Sequence, residues 1–303
     1  GQWRNAANLY WRQQSLQMAR LIQRRFPRAF QTPEVEWPLA SALRRTGMPA
    51  MADTIYRRRA ASALRLLDGP GEQPLSRKDD SNLAARLAAA ELWVARPADS
   101  MPAFLSSATF ATLKPRLDGR FSDECWQDAK EIRLAGKTGA PAGDGLVVGS
   151  YPFVLLSYDS DFFYIAASLP RPAAGKGIPP QYDGRKHDMD LTGHDRLSLC
   201  LDIDRDYTTA YEIHIDERGH VSESLWGHDW WNPKMSVAID SSPTRWRLEA
   251  AIRLKDLLEI APQKKDVWAV SIIRTIPKVG WQSWVTPVGG ETKAERFGLI
   301  RFR

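Results

Sequence analysis

The chain is poor in the residues that announce most chemistries. It has 303 residues but two cysteines, Cys125 and Cys200. Two cysteines build no disulfide framework and do not have zinc-site spacing. They read as buried free thiols, with pairing left open because sequence does not show proximity. The five histidines form no zinc motif. No apolar run approaches the roughly 18 residues of a membrane span, so none is expected. Nothing resembles a phosphate loop, a nucleophile elbow or a metal-hydrolase motif. The paired carboxylates of a glycosidase are defined by a spatial gap that sequence does not measure. The expectation is a protein that is not an enzyme. The chain opens on Gly1 instead of Met, so the lack of a leader decides nothing about its destination.

Net charge is also nearly absent from one part. Gly1 to Ala108 carries 16 basic and 9 acidic residues, net +7, whereas the remainder carries 26 and 27, net −1. A basic third could attract nucleic acid. It contains no motif for base readout, so it reads as a solvated helical face, and no nucleic-acid partner is expected.

Tryptophan is plentiful. There are 12, roughly three times the usual share. Eight lie beyond residue 108, and five of those sit in two short stretches.

Periodicity divides the chain. Asn5 to Phe26 has helical spacing (Leu9, Leu16, Met18, Leu21, Ile22) and stops at Pro27. A second helix opens at Pro33-Glu34 and ends near Gly47. A third runs from about Pro49 to Leu67. A fourth is expected from Asp80 to Val94, where Asp79-Asp80-Ser81-Asn82 offers N-cap residues. Residues 95 to 112, low in charge and holding Pro97 and Pro102, read as the boundary. Thereafter the period becomes strand-like. Leu117 to Ala129 reads as an edge segment and short turn. Strands are expected at Phe153 to Ser157, Phe162 to Ser168, Arg196 to Ile203, Tyr211 to Ile215, Met235 to Ile239, Trp246 to Ile252, Val267 to Ile276 and Phe297 to Phe302, with one helical piece at Leu254 to Ile260. The fold class is therefore α + β multidomain. A small all-α domain over 1–108 precedes an antiparallel β-sandwich over 109–303.

Two resemblances follow from particular residues. Leu39, Ala40, Leu43, Gly47, Ala52 and Tyr56 stand at the spacing of a tetratricopeptide repeat, although Arg59 occupies a position that is usually small. A single repeat leaves faces uncovered, so a protein partner through the helical domain is open. In the sandwich, Leu117-Asp118-Gly119-Arg120 with Trp126, Tyr158 to Ala166, Asp195 to Asp202, Trp246 to Leu254, and Arg296 to Ile300 follow one another as in the family 9 carbohydrate-binding modules, part of the wider DOMON-like group. The resemblance implies a non-catalytic carbohydrate ligand, a secreted, periplasmic or cell-surface setting, and structural calcium.

Sugar recognition needs aromatic faces against pyranose C–H groups and polar groups for hydroxyls. Two stretches carry both: Trp226, Asp229, Trp230, Trp231 and Asn232, and then Trp281, Gln282 and Trp284. Both are expected as loops, with Trp231 and Trp281 as ligand faces. The same indoles could instead fold back between the sheets. Asp202, Asp204 and Asp206 offer three carboxylates for calcium, or form a solvated acidic turn. Two other functions stay open: a protein-interaction scaffold with no sugar, and a haem-binding electron-transfer domain of the DOMON-like kind, for which Met189, Met235 and His214 are available as axial ligands.

Overall fold

The computed structural model describes residues 2–28, 32–68, 75–97, 104–136, 151–172, 188–286 and 296–303. The chain forms two compact units. One joins Gly1–Leu105 to Asp202–Ala210 and Lys293–Phe297; the other comprises Ser106–Leu201, Tyr211–Thr292 and Gly298–Arg303.

The first unit is built on α1 (Gln2–Arg25), α2 (Pro33–Arg45), α3 (Pro49–Asp68) and α4 (Leu75–Ala95). The sequence of α2 shows why it forms there. Pro33 opens it, Glu34 and Glu36 occupy its first turn, and Arg44 and Arg45 its last, each sign matching the helix dipole. Gly47 then takes φ +80°, and the Met48 amide donates to the Leu43 carbonyl at 2.9 Å. Trp37, Ala40, Leu43, Ala52, Ile55 and Tyr56 are buried between α2 and α3. Arg59 is accounted for by Glu36: Arg58 and Arg59 both pair with that buried carboxylate, at 2.7 and 2.5 Å. The expected start of α4 is corrected. The helix begins at Leu75, so Asp79 to Asn82 lie inside it. A cap preference is worth about 1 kcal/mol, and packing of α4 along α3 outweighs it. No helix among the described residues is long and apolar enough to cross a membrane.

The second unit contains β1 (Leu105–Phe110), a short α5 (Glu124–Gln127), β2 (Ile132–Arg133), β3 (Ala135–Gly136), β4 (Phe153–Tyr158), β5 (Phe162–Pro170), β6 (Arg196–Asp202), β7 (Tyr211–Asp216), β8 (Val221–Leu225), β9 (Met235–Ser241), β10 (Arg245–Arg253), β11 (Val267–Ile276), β12 (Gly280–Ser283) and β13 (Gly298–Phe302). The main path runs β8-β7-β6-β11-β13-β1-β4-β5-β10-β9, with β12 beside β11 and β2 beside β4. It curls into two facing layers. Phe163 of β5 meets Trp268 of β11 at 5.4 Å, and Tyr158 of β4 meets Phe302 of β13 at 4.8 Å.

Several expectations are corrected. The sheet is mixed, because β1 pairs with β4 in parallel; the long excursion from residue 110 to 153 provides the crossover that parallel pairing needs. The presumed boundary at 95–112 contains β1, whose first four residues are buried. Leu117 to Ala129 holds no strand, only α5. There, Trp126 packs on Leu155, Tyr164, Ala166 and Ala251. Leu254 to Ile260 contributes a single 3₁₀ turn, Leu254–Asp256. Trp281 to Ser283 is strand β12, not loop.

Candidate functional site

The ladder register locates the two tryptophan stretches. Leu201 pairs with Tyr211, and Tyr211 with Leu225, so the segment after Leu225 leaves from the C-terminal end of β6. At the other end of β6, Arg274 of β11 donates to Asp195 from Nε at 2.8 Å and from Nη2 at 2.5 Å. Thr275 of β11 pairs with Trp281. Trp281 therefore lies at the N-terminal end of β6. A seven-residue strand separates the two stretches by roughly 20 Å. A ligand pocket shared by Trp231 and Trp281 is ruled out.

The first stretch is a hairpin tip. Leu225 and His228 exchange backbone bonds at 2.9 and 3.0 Å, around Trp226 at φ +54° and Gly227 at φ +74°. Trp226 and Trp230 are each 66% exposed. Asp229 and Asn232 are exposed beside them, with Asn232 Nδ2 donating weakly to the Asp229 carbonyl at 3.4 Å. Trp231 is corrected: it is buried, its Nε1 donates to the Asp256 carbonyl at 3.1 Å, and Tyr211 covers it at 4.6 Å. It anchors the loop and offers no ligand face.

In the second stretch, Trp281 is half exposed. Gln282 and Trp284 are corrected. Gln282 is buried and accepts a bond from Arg274 Nη1 at 3.0 Å; Trp284 is buried, its amide donating to the Ile272 carbonyl at 3.1 Å. Both are structural groups.

The second unit also holds a cleft that the sequence reading missed. It has a volume of about 290 Å³ and is lined by Met189, Asp190, Leu191, Thr192, Arg196, His214 and Ser222. Leu197, Leu199 and Leu201 turn inward and are fully buried, so Arg196 and Ser198 face outward on β6. Ser198 stands opposite His214, and His214 opposite Ser222, across three strands. Burial holds the His214 imidazole below its usual pKa, so it is neutral near pH 7, and its Nδ1 lies 2.8 Å from the Ser198 hydroxyl. Hydrogen bonds from Thr192 hold the Asp190 carboxyl below its usual range. The cleft thus brings together a guanidinium, an ionised carboxylate, a neutral imidazole and hydroxyls. Met189 and His214 share this cleft; Met235 is buried in β9. The visible signal was the alternation of Arg196 and Ser198 with leucines.

In the first unit, Asp202, Asp204 and Asp206 place their carboxylate oxygens within 4.8 Å of one another. Local bonds hold them. Asp202 accepts from the amides of Asp206 and Tyr207, Asp206 from the amides of Thr208 and Thr209, and Asp204 from Arg45. Burial, then the charges of Asp206 and Asp204, push the Asp202 carboxyl well above the usual range; burial and Asp204 raise Asp206. Three crowded hard oxygens fit calcium in kind, but supply only part of the six to eight ligands it takes. Elsewhere in this unit a groove of about 280 Å³ runs between α1, α2 and α3, with apolar walls from Leu16, Leu39, Leu43 and Ile55 and with Arg20 and Arg58 among its lining.

No family model matches the chain, and no curated protein matches it. Among solved structures, it is similar to a family 9 carbohydrate-binding module from Caldicellulosiruptor kristjanssonii in complex with cellotriose, at 13% identity and TM-score 0.48, covering 66% of this chain and 93% of that one. The module from that organism in complex with glucose gives 14% identity and TM-score 0.45, covering 66% and 94%. A proposed carbohydrate-binding protein from Bacteroides uniformis gives 7% identity and TM-score 0.46, covering 66% and 99%.

Proposed function

We propose that the chain binds carbohydrate without cutting it, in the outward cleft of β6 to β8, with Trp281 as its aromatic wall. The observation that carries this reading is the cleft's chemistry. Arg196, Asp190, Thr192, His214 and Ser222 offer donors and acceptors in the mixture that vicinal hydroxyls require. In this reading Trp281, on the strand that pairs with β11, lies about two strand spacings from Arg196 on β6, roughly 10 Å. A short oligosaccharide spans that gap, stacking one ring on the indole. Such a ligand goes with a secreted, periplasmic or cell-surface setting. The helical unit serves as spacer or protein contact through its α1–α2–α3 groove, and calcium occupies the Asp202–Asp206 turn.

Intrinsic tryptophan fluorescence, titrated with mono- and oligosaccharides in calcium and in chelator, tests this. A saturable change is expected, weakened at least about ten-fold by Trp281→Ala and by Arg196→Ala. A flat response across the sugars would sink the reading and favour a scaffold. Because Met189 and His214 share the cleft, haemin is included. A Soret band lost in Met189→Ala or His214→Ala would transfer the cleft to haem.

A further inference from the structure

We propose that the Trp226–Asn232 hairpin is a second contact, separate from the cleft, that lies flat against a neutral polysaccharide. Two indoles, each 66% exposed, project from one tip. The backbone is bent at the first of them. Trp226 and Gly227 are consecutive left-handed residues in a two-residue turn. Such turns normally take Asn-Gly, since a bulky side chain at positive φ is strained. A tryptophan kept there despite that strain points to use of the side chain. His228 stands edge-on to Trp226, 6.2 Å away at 84°.

The base of the hairpin is fixed. Trp231 is clamped by Tyr211 and the Asp256 carbonyl, and the Lys234 amide donates to Asp256 Oδ2 at 2.7 Å. Arg253 in turn holds Asp256 with bonds of 2.9 and 2.6 Å. The indoles therefore stand on a preorganised platform, which lowers the ordering cost of binding.

Charge selects the ligand. The exposed tip, Trp226 to Asn232, contains no Lys or Arg and one carboxylate, Asp229; the first cation, Lys234, comes only at the base of the hairpin. Membrane surfaces and nucleic acids recruit basic residues, and acidic polysaccharides need them too. A neutral sugar surface needs none. Its pyranose C–H faces stack on Trp226 and Trp230, while Asp229 and Asn232 meet its hydroxyls. The proposal shares with the cleft reading only the ligand class; its geometry is independent, at the other end of β6.

The test is adsorption of the full chain to microcrystalline cellulose, insoluble xylan and chitin. Comparators are the Trp226→Ala/Trp230→Ala double variant, Trp281→Ala, and vesicles of phosphatidylcholine with phosphatidylserine. The expected result is adsorption to at least one solid, reduced about ten-fold or more in the double variant, with soluble-sugar titration unchanged and no vesicle binding. Both indoles are exposed, so circular dichroism should match wild type. Adsorption equal to wild type, wild type adsorbing to none of the solids, or the double variant losing only vesicle binding would each overturn it. If soluble sugars fail to bind while the double variant still loses adsorption, the cleft reading falls and the hairpin stands.

Discussion

Arg274 is fully buried, and its guanidinium is satisfied by two oxygens of Asp195, by Gln282 and by the Pro170 carbonyl. Asp195 also accepts Trp246 Nε1 at 2.9 Å. Removing one partner leaves the other buried and uncompensated. Asp195→Ala is therefore expected to cost about 3–5 kcal/mol in urea unfolding, with Asp195→Asn intermediate because it keeps a partner for Trp246. A second residue of this kind is Gly119. It holds φ +79°, and a Cβ there would stand 2.6 Å from Asp240 Cβ. Gly119→Ala should lower stability by more than ~1 kcal/mol, read as a drop in thermal midpoint. Gly119 also explains why separated motif pieces were legible. The amides of Asp118 and Gly119 and Trp126 Nε1 all donate to buried Glu249, so three residues of one short segment answer a carboxylate that is far away in sequence. The fate of neighbouring tryptophans was not legible. Trp230 is exposed and Trp231 covered only because Tyr211 and Asp256, each at least twenty residues away, close over one of them.

Among the elements, those with strong alternation, β6 and β10, were readable from residue type. Those held by neighbours were not. β1 hides in a Ser- and Pro-containing stretch because its partner β4 begins more than forty residues on, and β12 is only four residues long. The cleft is an element-scale feature for the same reason: it exists only once three strands set Arg196, His214 and Ser222 side by side. The Asp202–Asp206 turn yields a prediction at this scale. A carboxyl whose folded pKa is raised binds its proton more tightly in the native state. It therefore adds stability as pH falls from the raised value toward the ordinary one near 3.9, and costs stability at neutral pH. With chelator, Asp202→Asn should be more stable than wild type at about pH 7, and the gap should shrink toward about pH 5. Millimolar calcium should close the gap at pH 7 by replacing the proton. A pH-independent difference in thermal midpoint would contradict this.

Across the whole molecule, contiguous sequence and compact unit do not coincide. Tyr207, from the segment between β6 and β7, is buried among helical residues. Its hydroxyl donates to Glu91, and its ring meets Trp37 at 5.1 Å and Phe297 at 6.1 Å. Ser41 and Arg44 donate to the Asp204 carbonyl at 2.6 and 3.0 Å, and Arg205 pairs with Glu91 at 3.1 Å. A fragment of residues 1–108 lacks these partners. It should show reduced helical circular dichroism and no cooperative urea transition, in contrast to the full chain.

The strand order has a consequence for how the molecule is made. β13, within the last six residues, sits in the middle of the sheet between β11 and β1, and the Arg303 amide bonds to the Ala108 carbonyl at 3.1 Å. Nearly two hundred residues must leave the ribosome after β1 before its neighbour arrives. Until then, β1 and β11 each present an open edge, and the closing contact is of very long range. During synthesis, then, α2 and α3 can pair early by local contacts, while the nascent sheet waits, unsealed and open to mispairing, for its last strand.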